Sequence, residues 1–157
     1  MTQSLKPLSL GLILGASALA LVNLGAPLRP QASPQPSAQV SGAEGLELRQ
    51  LGGGKATIRH LARGQGAYLG RLTLKGGVDV PLHRDPTEEY LVIERGHGVI
   101  TVNGVAHQLS AGSVVYMPAQ AEVSFKNSDE ELVALQVFAG PESADKYLKW
   151  APVQRAP

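Results

Sequence analysis

The chain has 157 residues, the length of one ordinary domain, and 18 glycines and 11 prolines among few aromatics favour short strands and tight turns over long helices. Its formal net charge of +1 gives no electrostatic case for nucleic acid or for an anionic membrane surface. It contains no cysteine, which excludes disulfides, thiolate metal sites, cysteine nucleophiles and a lipidated N-terminal cysteine.

Residues 1–28 read as a targeting segment. Lys6 is the one charge before a run from Pro7 to Leu28 whose centre is LSLGLILGASALALVNL, a basic start followed by a hydrophobic core. Ala18-Leu19-Ala20 supplies the small residues that a signal peptidase requires. The alternative is an uncleaved anchor, since the apolar run is close to spanning length though diluted by Gly and Ala. Both readings put the rest of the chain outside the cytoplasm, periplasmic or secreted in the first case and membrane-anchored in the second. Residues 29–43 are rich in Pro, Gln, Ser and Ala, and bury too little to order themselves, so they are expected to form an extended linker.

From residue 44 onward short strand patterns follow one another. LELRQL (46–51) and KATIRHL (55–61) are separated by three glycines, and YLGRLTLK (68–75) alternates with Tyr68, Gly70, Leu72 and Leu74 on one side. EEYLVIE (88–94) is apolar on both faces. In GVITVNGVAHQL (98–109) the pair Asn103-Gly104 predicts a two-residue hairpin turn, with 102 opposite 105 and 100 opposite 107. Ile100, Val102, Val105, His107 and Leu109 then share a face, and His107 is expected as a core histidine satisfied by one hydrogen bond. SVVYMPA (113–119), AEVSFKN (121–127) and LVALQVFAG (132–140) complete the strands, and PESADKYLKW (141–150) reads as a short helix opened by Pro141. Turn signals at this spacing are those of an all-β sandwich or barrel.

Two segments carry a more specific pattern. Gly77, five residues, His83, then Asp85, Glu89 and Gly96 form the first; Gly112, five residues, Pro118 and then Asn127 form the second. This resembles the paired motifs of the cupin family, in which a glycine leads to His-x-His, a Glu and a glycine, and a second glycine leads to Pro-x-Gly, a His and an Asn. The resemblance implies a cupin-type double-stranded β-helix, a jelly-roll barrel, over residues 44–157. Three positions depart from the family: Asp85 stands for the second His, Gln120 for the glycine after Pro118, and Val123 for the last His.

On that pattern His83, Asp85 and Glu89 stand at three of the family's four metal-ligand positions, and Val123, at the fourth, cannot coordinate. One imidazole and two carboxylates suit a single divalent ion (Mn, Fe, Ni or Zn) if water or substrate completes the shell. The other reading is a metal-free site in which two buried carboxylates raise one pKa and serve proton transfer. Glu89 would then be the acid or base, His83 its partner, Asp85 the orienting group, and Gln136 a hydrogen-bond donor to a ligand. His97 is expected at the surface, His60 away from the motif, and Tyr90 and Tyr116 between sheets or subunits. Gly52-Gly53-Gly54-Lys55 lacks the spacing and hydroxyl of a phosphate loop.

The implied function is an exported cupin that binds a small polar molecule such as a sugar, a sugar acid or another carboxylate. If the barrel is an enzyme, proton-transfer chemistry of the isomerase, epimerase or lyase type is expected. The alternative is a non-enzymatic binding, sensing or assembly barrel of the cell envelope. The family's habit of pairing implies a homodimer, and a membrane would be met only through an uncleaved N-terminal segment.

Overall fold

The computed structural model describes residues 37–42 and 46–154. The signal or anchor assigned to 1–28 and most of the linker lie outside the described residues. Eleven strands are present among them: β1 (Glu47–Leu51), β2 (Ala56–Arg63), β3 (Tyr68–Leu74), β4 (Val80–His83), β5 (Glu88–Arg95), β6 (His97–Val102), β7 (Val105–Ser110), β8 (Val114–Met117), β9 (Val123–Asn127), β10 (Leu132–Ala139) and β11 (Ala151–Pro152). A 3-10 helix, Pro141–Lys149, lies between β10 and β11. All pairings are antiparallel, in a seven-stranded sheet ordered β11-β1-β2-β3-β10-β5-β8 and a four-stranded sheet ordered β4-β9-β6-β7. This is the all-β jelly-roll architecture.

Alternation builds the core. Tyr68, Gly70, Leu72 and Leu74 of β3 are all buried, while Leu69, Arg71 and Thr73 between them are only half-buried, as the pleat requires. Ile58, Ile93, Ile100, Met117, Phe125 and Phe138 fill the space between the two sheets. The 3-10 helix closes over this space, with Ala144 and Tyr147 buried beneath it.

The hairpin at 103–104 forms as its sequence requires. Asn103 and Gly104 both have positive φ, 48° and 81°, and Val102 faces Val105 while Ile100 faces His107. His107, however, is exposed rather than buried. Ile100 and Leu109 reach the core, but β7 is the edge strand of its sheet, and inward parity does not bury a side chain at that end of the hairpin. Tyr90 and Tyr116 are cross-strand partners whose rings lie 5.2 Å apart on the outside of the large sheet, 38% and 51% exposed, so they do not pack between sheets. Part of the linker also differs from a free spacer: Ser41 Oγ donates to Leu61 O at 2.8 Å, and the Arg63 N–H donates to Gln39 Oε1 at 3.1 Å.

Two backbone details fix the surroundings of the cavity. Gly140, φ 122°, turns the chain from β10 into the 3-10 helix, and a Cβ there would lie 2.4 Å from Thr87 Cγ2. Gln120, where the family motif has glycine, keeps the left-handed conformation at φ 63°. Its N–H donates to Asp85 O at 2.8 Å, and its carbonyl accepts from Arg84 Nη1 at 2.6 Å, so the loop needs this backbone geometry whatever side chain it carries. Gln120→Gly removes the steric cost of a side chain in that region and is expected to stabilise the domain by about 0.5–1 kcal/mol after the entropy of glycine is counted. A shift of the urea midpoint upward with an unchanged slope is the measurement that checks it.

Candidate functional site

The two sheets enclose a cavity of about 310 Å³. Apolar side chains from both sheets form most of its wall, Leu72, Ile93, Ile100, Met117 and Phe125 among them. His83, Glu89, Gln136, Lys146 and Tyr147 supply the polar groups of its inner lining.

Glu89 sits near the start of β5, 5% exposed, paired with Phe138 of β10 and Met117 of β8. Gln136 lies two residues before Phe138 and so on the same face, which settles its direction: it is 4% exposed and its Nε2 donates to Glu89 Oε1. Tyr147 of the 3-10 helix donates its hydroxyl to Gln136 Oε1. The helix therefore joins β10 and β5 through a buried chain of hydrogen bonds. Burial pushes the Glu89 carboxyl above its ordinary pKa, against the opposing effects of the Gln136 bond and the Lys146 charge. Burial likewise drives the Tyr147 phenol well up, so it remains a donor.

A second group forms at the end of β4. β4 stops at His83, and Asp85 lies in the irregular stretch beyond it rather than in a strand. The two side chains still meet, His83 Nε2 standing 3.5 Å from Asp85 Oδ2. His83 Nδ1 is bonded to Pro81 O at 2.9 Å. Lys146 Nζ, from the 3-10 helix, donates to the same Asp85 oxygen at 2.7 Å. Its ammonium also lies 4.9 Å from the centre of the Phe138 ring. The bond to Asp85 holds the His83 pKa up, against desolvation. Burial alone would raise Asp85, but the bonds from His83 and Lys146 together with the Lys146 charge outweigh it and hold the carboxyl below its ordinary value.

The expected three-donor metal set does not assemble. Among the described residues no group of three His, Cys, Asp or Glu side chains is placed to hold a metal ion. The reason is chemical as much as geometric. Asp85 is neutralised by an ammonium, Glu89 is tied to Gln136 and favours its proton, and Val123, in register with His83 across β4 and β9, presents only hydrocarbon. The residues present do not fit a divalent cation, which would have to displace Lys146 from its carboxylate.

Lys146 and Tyr147 are the cavity-lining residues of the candidate site that the motifs miss. Both come from the C-terminal helix, outside the two segments. The helix is held by Thr87 and Ser143, whose hydroxyls share a 2.5 Å hydrogen bond, with the Thr87 N–H donating to Ser143 Oγ at 3.3 Å. No motif or spacing in the sequence marks either of them. His60 is nearer than its place in the chain suggests. Its Nδ1 is 2.9 Å from the Tyr68 hydroxyl, and its ring meets that of Tyr147 edge-on at 6.5 Å.

The model for the cupin domain matches residues 70–138, the span from Gly70 within β3 to Phe138 within β10. An uncharacterized protein of Streptomyces coelicolor is 33% identical over 98 residues, 62% of this chain and 92% of that protein. Among solved structures, an RmlC-like cupin from Shewanella frigidimarina superposes with a TM-score of 0.61 at 17% identity, over 66% of this chain and 92% of its own. A predicted oxalate decarboxylase from Thermotoga maritima superposes with a TM-score of 0.50 at 25% identity, over 54% of this chain and 80% of its own.

Two outcomes are expected from this geometry. Glu89 binds its proton more tightly folded than unfolded, so it weakens the fold as pH rises from its ordinary value of 4.5 to the raised folded value, and by a constant amount above that. Glu89→Gln is therefore expected to gain stability relative to the parent between about pH 4 and about pH 8, which paired urea titrations at the two pH values would measure. Dialysis against a strong chelator is expected to leave the melting temperature unchanged, and added Mn, Ni or Zn to raise it by less than about one degree, as read by calorimetry.

Proposed function

The chain belongs to the cupin family, and from that premise we propose that its folded part is an exported barrel that binds a small organic acid, with the carboxylate held where Lys146, His83 and Glu89 line the cavity. One observation carries the reading: an ammonium group stands in the wall of a cavity bounded mostly by hydrocarbon. Lys146 has three donors, and the hydrogen bond to Asp85 uses one. Charge-assisted bonds to a carboxylate are stronger than those to a neutral hydroxyl, so this wall favours acids over neutral sugars. His83, whose nitrogens turn to Pro81 O and Asp85, lines the cavity beside Lys146, and Glu89 in its protonated form adds a neutral donor. The likeness to a predicted oxalate decarboxylase agrees in ligand class.

A second reading, proton-transfer chemistry on the bound acid, is favoured by Glu89. A buried carboxyl with a raised pKa, lining a cavity, is the kind of group that donates and recovers a proton in isomerisation, epimerisation or elimination. His83 would serve as its partner. The layout of residues 1–28 supports export, so the ligand would be met outside the cytoplasm, in the periplasm or the medium.

Thermal denaturation of the purified protein tests the binding. Millimolar small carboxylates, sugar acids included, are expected to raise the melting temperature by several degrees, and Lys146→Met is expected to remove that response while leaving the unliganded fold intact. A melting temperature indifferent to every acid would overturn the proposal.

A further inference from the structure

Resting on the acid-binding reading, we propose that the ligand is an amphiphile: a monocarboxylic acid whose body is a short aliphatic chain or a single ring, not a polyhydroxylated sugar acid. The polar side chains of the inner wall fall into two hydrogen-bonded groups, and much of their capacity is already committed. Gln136 gives one amide hydrogen to Glu89 and accepts from Tyr147 at its carbonyl, and Tyr147 gives its only hydrogen to Gln136. What remains for a ligand is two hydrogens of Lys146, the second amide hydrogen of Gln136 and the free oxygen of Glu89, enough for one carboxylate. Asp79, the other charged lining residue, is exposed at the rim and accepts from the Asn127 N–H at 3.0 Å.

Apart from the Trp150 indole and the Asp79 carboxylate at the rim, the rest of the wall is hydrocarbon and offers a hydroxyl nothing. Val123, buried opposite His83, extends hydrocarbon to the position where the family motif carries an imidazole. Ile100, Met117 and Phe125 continue that surface into the core. A sugar acid would carry several hydroxyls into this space, and each one left without a partner costs a factor of about ten or more in affinity. A methylene gains in the same place. The volume of about 310 Å³ equals the share of about ten waters in bulk liquid. That accommodates a head group and a body of roughly six carbons.

Calorimetric titration of the protein with acetate, butyrate, hexanoate, benzoate, hexanol and gluconate separates the possibilities. Affinity is expected to rise about fourfold per added methylene from acetate to hexanoate. Hexanol is expected to bind at least about tenfold more weakly than hexanoate, and Lys146→Met to erase that preference while hexanol binding survives. Affinity that is flat with chain length, or gluconate binding as tightly as hexanoate, would overturn the amphiphile inference and leave acid binding standing. No binding by any of the acids would end both.

Discussion

The buried chain of hydrogen bonds from Tyr147 through Gln136 to Glu89 is the constraint on which the site depends. It fixes three elements at once: the C-terminal 3-10 helix, strand β10 and strand β5. A carboxyl that is 5% exposed is costly to bury, and an amide held between it and a phenol reduces that cost without adding a charge. The same bonds set the helix so that its neighbouring side chain, Lys146, projects to Asp85. Packing supports the arrangement, since Tyr147 lies within 6.5 Å of the Phe138 ring and 4.9 Å of the Trp150 ring. The cavity is thus closed by an element whose position is specified by polar contacts inside an apolar core, the condition under which such contacts define a single geometry.

Around Asp85 the charge balance separates this barrel from a metal site built on the same frame. The family pattern gathers imidazoles and one carboxylate about a cation. Here the cation is covalent, the ammonium of Lys146, and it takes the same Asp85 oxygen that His83 approaches. Val123 removes the fourth ligand from the opposite strand. The substitutions belong together: a lysine supplies the positive charge that balances Asp85, and an aliphatic neighbour extends the hydrocarbon wall beside them.

Much of this architecture was legible from local sequence. Asn103-Gly104 specified a hairpin and its register because both residues tolerate positive φ, and the alternation in 68–75 specified the buried face of β3. The glycine, proline and carboxylate frame from Gly77 to Asn127 pointed to the jelly roll and brought His83, Asp85 and Glu89 to notice. Gln136 could be suspected but not oriented, since both faces of β10 are largely buried and parity then carries no information. Lys146 was not legible at all. Nothing near it in the chain marks it, and its meeting with Asp85 depends on the path of a helix 61 residues further on. His107 shows the reverse failure, where the pattern was right and the end of a sheet edge left the side chain in water.

Trp150 lies just beyond the 3-10 helix, lines the cavity, and is the single tryptophan of the chain. Its indole meets the Tyr147 ring nearly at right angles, 80° between planes. The protein therefore carries an intrinsic fluorophore beside the cavity it encloses, with no second emitter of its kind to dilute the signal. Occupancy changes the polarity and collisional quenching felt by that one ring, so emission colour and acrylamide accessibility become direct optical readings of whether the interior is filled.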